Sequence, residues 1–134
     1  MIVLDASAIV AILSREPEFD SFLAAIERAD HAATSPIAVY EAALGLRRKR
    51  HCSVAEAEAA VMEFLALACV VIAPVEASAA RFALDAFARY GKGTRHPAQL
   101  NLGDGFAYAQ AKSSSAALLF KGDDFSKTDV ESAG

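Results

Sequence analysis

Met1-Ile2-Val3-Leu4-Asp5-Ala6-Ser7-Ala8-Ile9-Val10-Ala11-Ile12-Leu13 opens the chain. Ile2 to Leu4 is an unbroken apolar run that halts at a carboxylate, as a strand buried on both faces of a parallel sheet does. From Ser7 to Leu13 the residues have helical character, with Asp5 or Ser7 available as the cap. A short apolar run, an acid and then a helix is the opening of an alternating β/α chain.

The alternation continues outward from that stretch. Between Pro17 and Arg28 the apolar residues Phe19, Phe22, Leu23 and Ile26 recur at spacings of three and four, which predicts an amphipathic helix. His31 to Thr34 is a weak second strand, and Ser35-Pro36 opens a helix running to about Arg48. Ser53 with Glu56 three residues on forms a capping box for the next helix. Val70 to Ile72 is a third strand. Ala77 to Tyr90 is helical until Gly91-Lys92-Gly93 stops it, Asp104 to about Lys112 is a further helix, and Ala117 to Phe120 is the last strand. Short strands separated by helices predict a three-layer α/β/α domain with a mostly parallel sheet, residues 1–134 forming one unit.

Composition narrows the class. The 134 residues are 54% hydrophobic and include 31 alanines, enough apolar material for a core and too much for a disordered chain. The longest uncharged, mostly apolar run, Phe64 to Val75, contains Pro74 and falls well short of the roughly 20 residues of a bilayer span. Asp5 interrupts what would be a secretory leader. The expectation is a soluble, cytoplasmic protein with no membrane partner. Cys52 and Cys69 are read as small buried apolar side chains, and His31, His51 and His96 lack the spacing of zinc ligands. A net charge of −4 excludes a charge-driven coating of nucleic acid, though not a locally basic surface.

The chemistry lies in the acids. Open α/β sheets place ligands at the carboxyl ends of their strands. Asp5 ends the first strand, Glu41 lies one turn into the helix after the second, Asp104 begins a helix behind a glycine, and Asp123 and Asp124 follow the last strand. Taken singly each admits a plainer account: a helix cap for Asp104, an exposed helical position for Glu41. Taken together they would crowd one sheet edge. Two carboxylates about 4 Å apart repel by roughly 4 kcal/mol at an effective dielectric near 20, so such a group calls for a cation. An all-oxygen donor set suits Mg²⁺ or Mn²⁺, and a site of that kind hydrolyses phosphodiesters.

The opening stretch resembles the start of PIN domains, and specifically of the VapC-type toxins of bacterial toxin–antitoxin modules. Thr34-Ser-Pro-Ile-Ala-Val-Tyr-Glu-Ala-Ala-Leu-Gly resembles that family's second motif, Asn101-Leu-Gly-Asp-Gly-Phe-Ala-Tyr-Ala its third, and Leu118-Leu-Phe-Lys-Gly-Asp-Asp-Phe-Ser-Lys-Thr-Asp-Val its fourth. The resemblance implies a Mg²⁺- or Mn²⁺-dependent endoribonuclease silenced by a cognate VapB-type antitoxin. It makes Asp5, Glu41 and Asp104 the core catalytic and metal carboxylates. Many relatives carry Asn at the position of Asp123, which ranks Asp124 above Asp123 as the fourth acid. Ser7 and Asn101 are candidates to hydrogen-bond the carboxylates or metal waters. The resemblance further implies a homodimer, a toxin–antitoxin hetero-oligomer, and an antitoxin groove on the helices bearing Phe19, Phe22, Leu23 and Ile26, and Val61, Met62, Phe64 and Leu65.

Two basic segments are candidate RNA contacts. Arg47, Arg48, Lys49 and Arg50 close the Glu41 helix, where they also complement its dipole. Arg89, Lys92 and Arg95 fall in a stretch with no acid between Ala86 and Gly103. The loop from Gly91 to Leu100 is expected to be mobile enough to close over substrate. Tyr90 reads as a core residue before a base-stacking one. The competing function is a catalytically inactive PIN-like module that holds RNA or antitoxin without cutting. A phosphatase is disfavoured because Asp5-Ala6-Ser7 lacks a second aspartate, and a phospho-acceptor receiver survives only through Lys121.

Overall fold

The opening apolar run forms strand β1 (Ile2–Leu4), in which Val3 and Leu4 have no exposed surface. The computed structural model describes Met1–Gly134 and sets β1 inside a four-stranded sheet with β2 (Ala32–Thr34), β3 (Val70–Ile72) and β4 (Ala117–Leu119). The order is β3-β2-β1-β4, and every pairing is parallel, with Ile2 opposite both Ala32 and Ala117. The first two crossovers step in one direction and the third returns to the far side of β1. Strand order therefore reverses at β1, opening a crevice beyond its carboxyl end.

The strand period of two divides the core. Ile2 and Leu4 join one buried cluster with helices α1 (Ala6–Leu13), α2 (Phe19–Arg28), α3 (Pro36–Arg50) and α4 (Val54–Leu67). Val3 and Leu118 join the other with α5 (Ala79–Tyr90) and α6 (Leu102–Ser113). These are the two outer layers of the expected sandwich. Its alanines let helices lie close to the sheet: Ala8, Ala11, Ala42, Ala86, Ala109 and Ala111 are fully buried.

Several boundaries shift for identifiable reasons. Helix α2 begins at Phe19 rather than Pro17 because a turn, Phe19 N–H to Glu16 C=O at 2.9 Å, precedes it. Helix α3 runs on to Arg50 and is closed by His51 in the left-handed region at φ 52°. Helix α5 begins at Ala79, after a turn in which Ala79 N–H donates to Glu76 C=O. Helix α6 starts at Leu102, since Asn101 and not Asp104 is its cap. The Gly91–Leu100 segment is no free flap. Lys92 N–H donates to Leu100 C=O at 2.8 Å, Leu100 N–H to Tyr90 C=O at 2.9 Å, and Ala98 and Leu100 are buried. Gly91 itself serves close packing, because a Cβ there would overlap the Phe87 side chain and carbonyl. Tyr90 is a core residue, edge-on to His96. Cys52 is half-buried and Cys69 exposed, so the expectation of two buried thiols fails at Cys69, which lies in the turn after α4. No helix is long and apolar enough to cross a membrane.

Candidate active site

Asp5 is both the last residue of the β1 edge and the N-cap of α1, and it is buried with 5% of its surface exposed. Its Oδ2 accepts the Ser7 backbone N–H at 3.0 Å and the Ser7 hydroxyl at 2.5 Å. The Ser7 oxygen accepts in turn from the Lys121 N–H at 3.0 Å, which fixes the direction of its proton. The Ala6 backbone N–H also favours the charged carboxylate. Burial is the largest influence on this carboxyl and raises its pKa against the lowering effect of the Ser7 bonds.

Ser35 places the second acid. Its hydroxyl accepts Ala38 N–H at 3.1 Å and Pro36 occupies the first turn, so α3 begins at the carboxyl end of β2. Glu41 then lies one turn in, half-buried, its pKa raised by desolvation first and by the charges of Asp5 and Asp104 after that. Its carboxylate rests against Gly103, where any Cβ would overlap it. Sequence reading noted that glycine only as a neighbour of Asp104.

The third acid comes from a reciprocal cap. Asn101 Oδ1 accepts Asp104 N–H at 2.9 Å, and Asp104 Oδ2 accepts Asn101 N–H at 3.1 Å. The plain capping account of Asp104 therefore stands, and it occupies only one of the two carboxylate oxygens. Desolvation, with smaller contributions from Asp5 and Asp124, pushes its pKa up to about 6 despite the Asn101 hydrogen bond.

Asp5, Glu41 and Asp104 line one open pocket of about 630 Å³, with Ser7, Glu16, Gly45, Arg48, Lys49 and Lys121. No three acidic side chains stand close enough together to form a finished metal cage. The donor chemistry nonetheless fits a hard divalent cation: carboxylate oxygens only, one carboxylate buried, and charges that raise one another's pKa. Asp123 and Asp124 do not line the pocket. Asp124 is near enough for its charge to act on Asp104, whereas Asp123 makes its hydrogen bond through its backbone carbonyl, to Ser126 Oγ at 2.6 Å.

The basic residues divide. Arg48 and Lys49 line the acidic pocket, and Arg48 makes no ion pair. Arg50 donates to Leu13 C=O at 2.6 Å, and Arg47 is exposed. Arg89 is engaged by Asp85 and Asp129, each at 3.5 Å, and by the Tyr108 hydroxyl at 3.2 Å. Lys92 borders a separate apolar groove of about 610 Å³ between α5 and α6, and Arg95 is exposed. Glu16 and Lys121 were not among the expected site residues. Glu16 carries no local signal in its turn, and Lys121 reaches the pocket only because β4 lies beside β1.

Comparison with known proteins agrees with the fold. The PIN domain family model matches residues 2–131. A VapC ribonuclease of Rhizobium meliloti is 40% identical over 97% of this chain and 99% of its own length. Ribonuclease VapC30 of Mycobacterium tuberculosis is 43% identical over 96% of this chain and 95% of that one. Among solved structures, Mycobacterium tuberculosis VapC20, a sarcin–ricin loop cleaving toxin, superposes with a TM-score of 0.75 at 16% identity, covering 97% of this chain and 96% of that one.

Proposed function

This chain belongs to the PIN domain family, among its VapC ribonucleases, and we propose that it is the ribonuclease toxin of a toxin–antitoxin module, hydrolysing RNA phosphodiester bonds in the cytoplasm. The observation that carries the reading is the convergence of Asp5, Glu41 and Asp104 on one pocket at the strand-order reversal. Mg²⁺ or Mn²⁺ is the cofactor these oxygens suit, and Asp5, Glu41 and Asp104 would hold it. Asp124 is favoured over Asp123 as the fourth acid, because only Asp124 acts on Asp104. Such an ion supplies an activated water and charge for the developing oxyanion. The chain's own part is to orient and to exclude. Ser7 turns Asp5, Asn101 holds Asp104, and Gly103 leaves room for Glu41.

Arg48 and Lys49 support an RNA path along the pocket wall, and Arg47, Lys92 and Arg95 are exposed cations outside it. For the partner we propose a VapB-type antitoxin seated on α2 and α4, where Phe19, Leu23, Phe64 and Leu67 line an apolar groove of about 410 Å³. Leu84, Phe87 and Leu102 are exposed on the α5–α6 groove, which supports a homodimer through that face.

The test is cleavage of total cellular RNA by the purified protein, with Mg²⁺ or Mn²⁺ and with EDTA, beside Asp104→Asn. Discrete fragments that need metal and vanish in the variant are expected. RNA bound but left whole under all metals would mark the protein as a binding module instead.

A further inference from the structure

The wall of the acidic pocket holds a second arrangement that the carboxylate chemistry does not use. Glu16, in the turn between α1 and α2, accepts from the Lys49 ammonium through Oε1 and from the Lys121 ammonium through Oε2, the latter at 2.7 Å. The two lysines come from unrelated places, the last turn of α3 and the loop after β4, and Glu16 is their common partner. The exposure is lopsided. Glu16 keeps 15% of its side chain accessible, against 50% for Lys49 and 39% for Lys121. The acid is covered while both ammonium groups remain open to the pocket they line.

Stability is a poor account of this cluster, since exposed lysine–carboxylate pairs contribute little to folding. Its geometry suits a ligand better. Each ammonium has three N–H donors. Lys49 uses one on Glu16. Lys121 uses one on Glu16 and lies 3.2 Å from Glu18 Oε1, a contact that leaves that oxygen without an aligned hydrogen bond. Donors therefore remain for an anion. A free lysine gives up rotamer freedom when a ligand immobilises it, and here Glu16 has already restricted both. The Lys121 backbone N–H also reaches Asp5 through the Ser7 hydroxyl, so the ammonium and the acid it would serve are tied by one residue.

Resting on the ribonuclease reading, we infer that Glu16 is a positioning residue that presents Lys49 and Lys121 as a paired clamp for RNA phosphate beside the carboxylate site. The inference has a sign. Glu16 is an anion near the path of a polyanion, so electrostatics alone makes its neutralisation tighten RNA binding. Positioning makes the same change weaken it.

The experiment is steady-state cleavage of one defined RNA by the full chain with Mg²⁺, across a salt series. The variants are Glu16→Gln, Glu16→Asp, Lys49→Ala, Lys121→Ala, the double lysine variant, and that double variant with Glu16→Gln. Thermal unfolding of each accompanies the kinetics. Each lysine variant should raise KM about 3–10-fold with little change in kcat, and lower the slope of log KM against log salt by about 0.7–1. Glu16→Gln should raise KM by a similar factor and have no further effect without the lysines; Glu16→Asp reads the same effect if the glutamine variant does not fold. A lowered or unchanged KM in the folded Glu16 variants, or the same rise in the lysine-free background, overturns the inference. Binding of the same RNA in EDTA, followed by fluorescence anisotropy, separates the two claims. A parent that binds through these lysines yet never cleaves refutes the ribonuclease reading alone. A parent that cleaves with metal while its KM ignores Glu16 and both lysines refutes the clamp alone.

Discussion

Two basic segments, Arg47–Arg50 and Arg89–Arg95, look alike in the sequence and have different surroundings in the fold. The first sits at the end of α3 and delivers Arg48 and Lys49 to the acidic pocket. The second begins at the end of α5, where Arg89 is drawn into a network with Asp85, Asp129 and Tyr108 that ties the C-terminal segment to α6. The difference is one of neighbours rather than of charge. Arg48 makes no ion pair beside the carboxylate site and has a polyanionic substrate to meet, whereas Arg89 is held by two carboxylates and a hydroxyl. The acids show the same contrast. Burial holds Asp104 up at about 6. At Asp129 burial also pushes upward, but hydrogen bonds from Tyr108 and Lys112 win and hold it down at about 2.

The sharpest way to break this comparison is to remove an acid from the first region. Asp5→Asn should lower metal-dependent RNA cleavage by at least about 100-fold, the upper end of what loss of a mere supporting group costs. Asp5 is buried and caps α1. Asn is also a good N-cap, and the variant should remain folded by circular dichroism. Parental cleavage by the folded variant would remove the carboxylates from the mechanism.

Gly103→Ala ranks next. The added methyl displaces the Glu41 carboxylate while placing a better helix former in the first turn of α6. Cleavage should fall about 10-fold or more with the unfolding midpoint unchanged or raised. A fall in both would mean that the glycine serves the fold.

The third test sets the two segments directly against each other. Arg48→Ala should raise KM for RNA several-fold and flatten its salt dependence without affecting the unfolding midpoint. Arg89→Ala should do the reverse, lowering the midpoint and leaving KM alone. Matching KM effects would erase the distinction between the regions.

The smallest effect is on stability against pH, measured by urea denaturation in EDTA. Between about pH 4 and 6 the folded Asp104 keeps a proton that the unfolded chain has lost, so stability should fall as pH rises through that window. Asp129 works in the opposite direction. Its contribution is complete above about pH 4 and is lost as pH falls toward 2. Asp104→Asn should reduce the upper limb, leaving the share of Asp5 and Glu41, whose pKa values are also raised, and Asp129→Asn should flatten the lower one. An upper limb undiminished in Asp104→Asn would assign it to those two acids alone.

Much of this was legible in the chain. The run Ile2–Leu4 and its terminal acid are local facts, as are Ser35-Pro36, the Ser53–Glu56 box and the apolar runs that became β3 and β4. All of them depend on residues within a few positions of one another. Asp5, Glu41 and Asp104 could be singled out because a parallel sheet brings strand ends together whatever the loops do. The misplaced helix starts at Pro17, Ala77 and Asp104 were each errors of two residues at caps. The mobile loop was a different failure: composition sees two glycines and a proline, and cannot see that Tyr90 and Leu100 hydrogen-bond across it.

The sequence by itself determined which segments are strands and helices and which carboxylates stand at strand ends, because those depend on local periodicity and capping. Only the tertiary structure decided which cations face those carboxylates. Glu16, Lys49 and Lys121 are brought together by packing α1, α3 and β4 around one strand. Arg89 is taken away by an acid 40 residues further on. A charge's role depends on what lies within a few ångströms of it, and at those separations in the chain only the fold sets that distance.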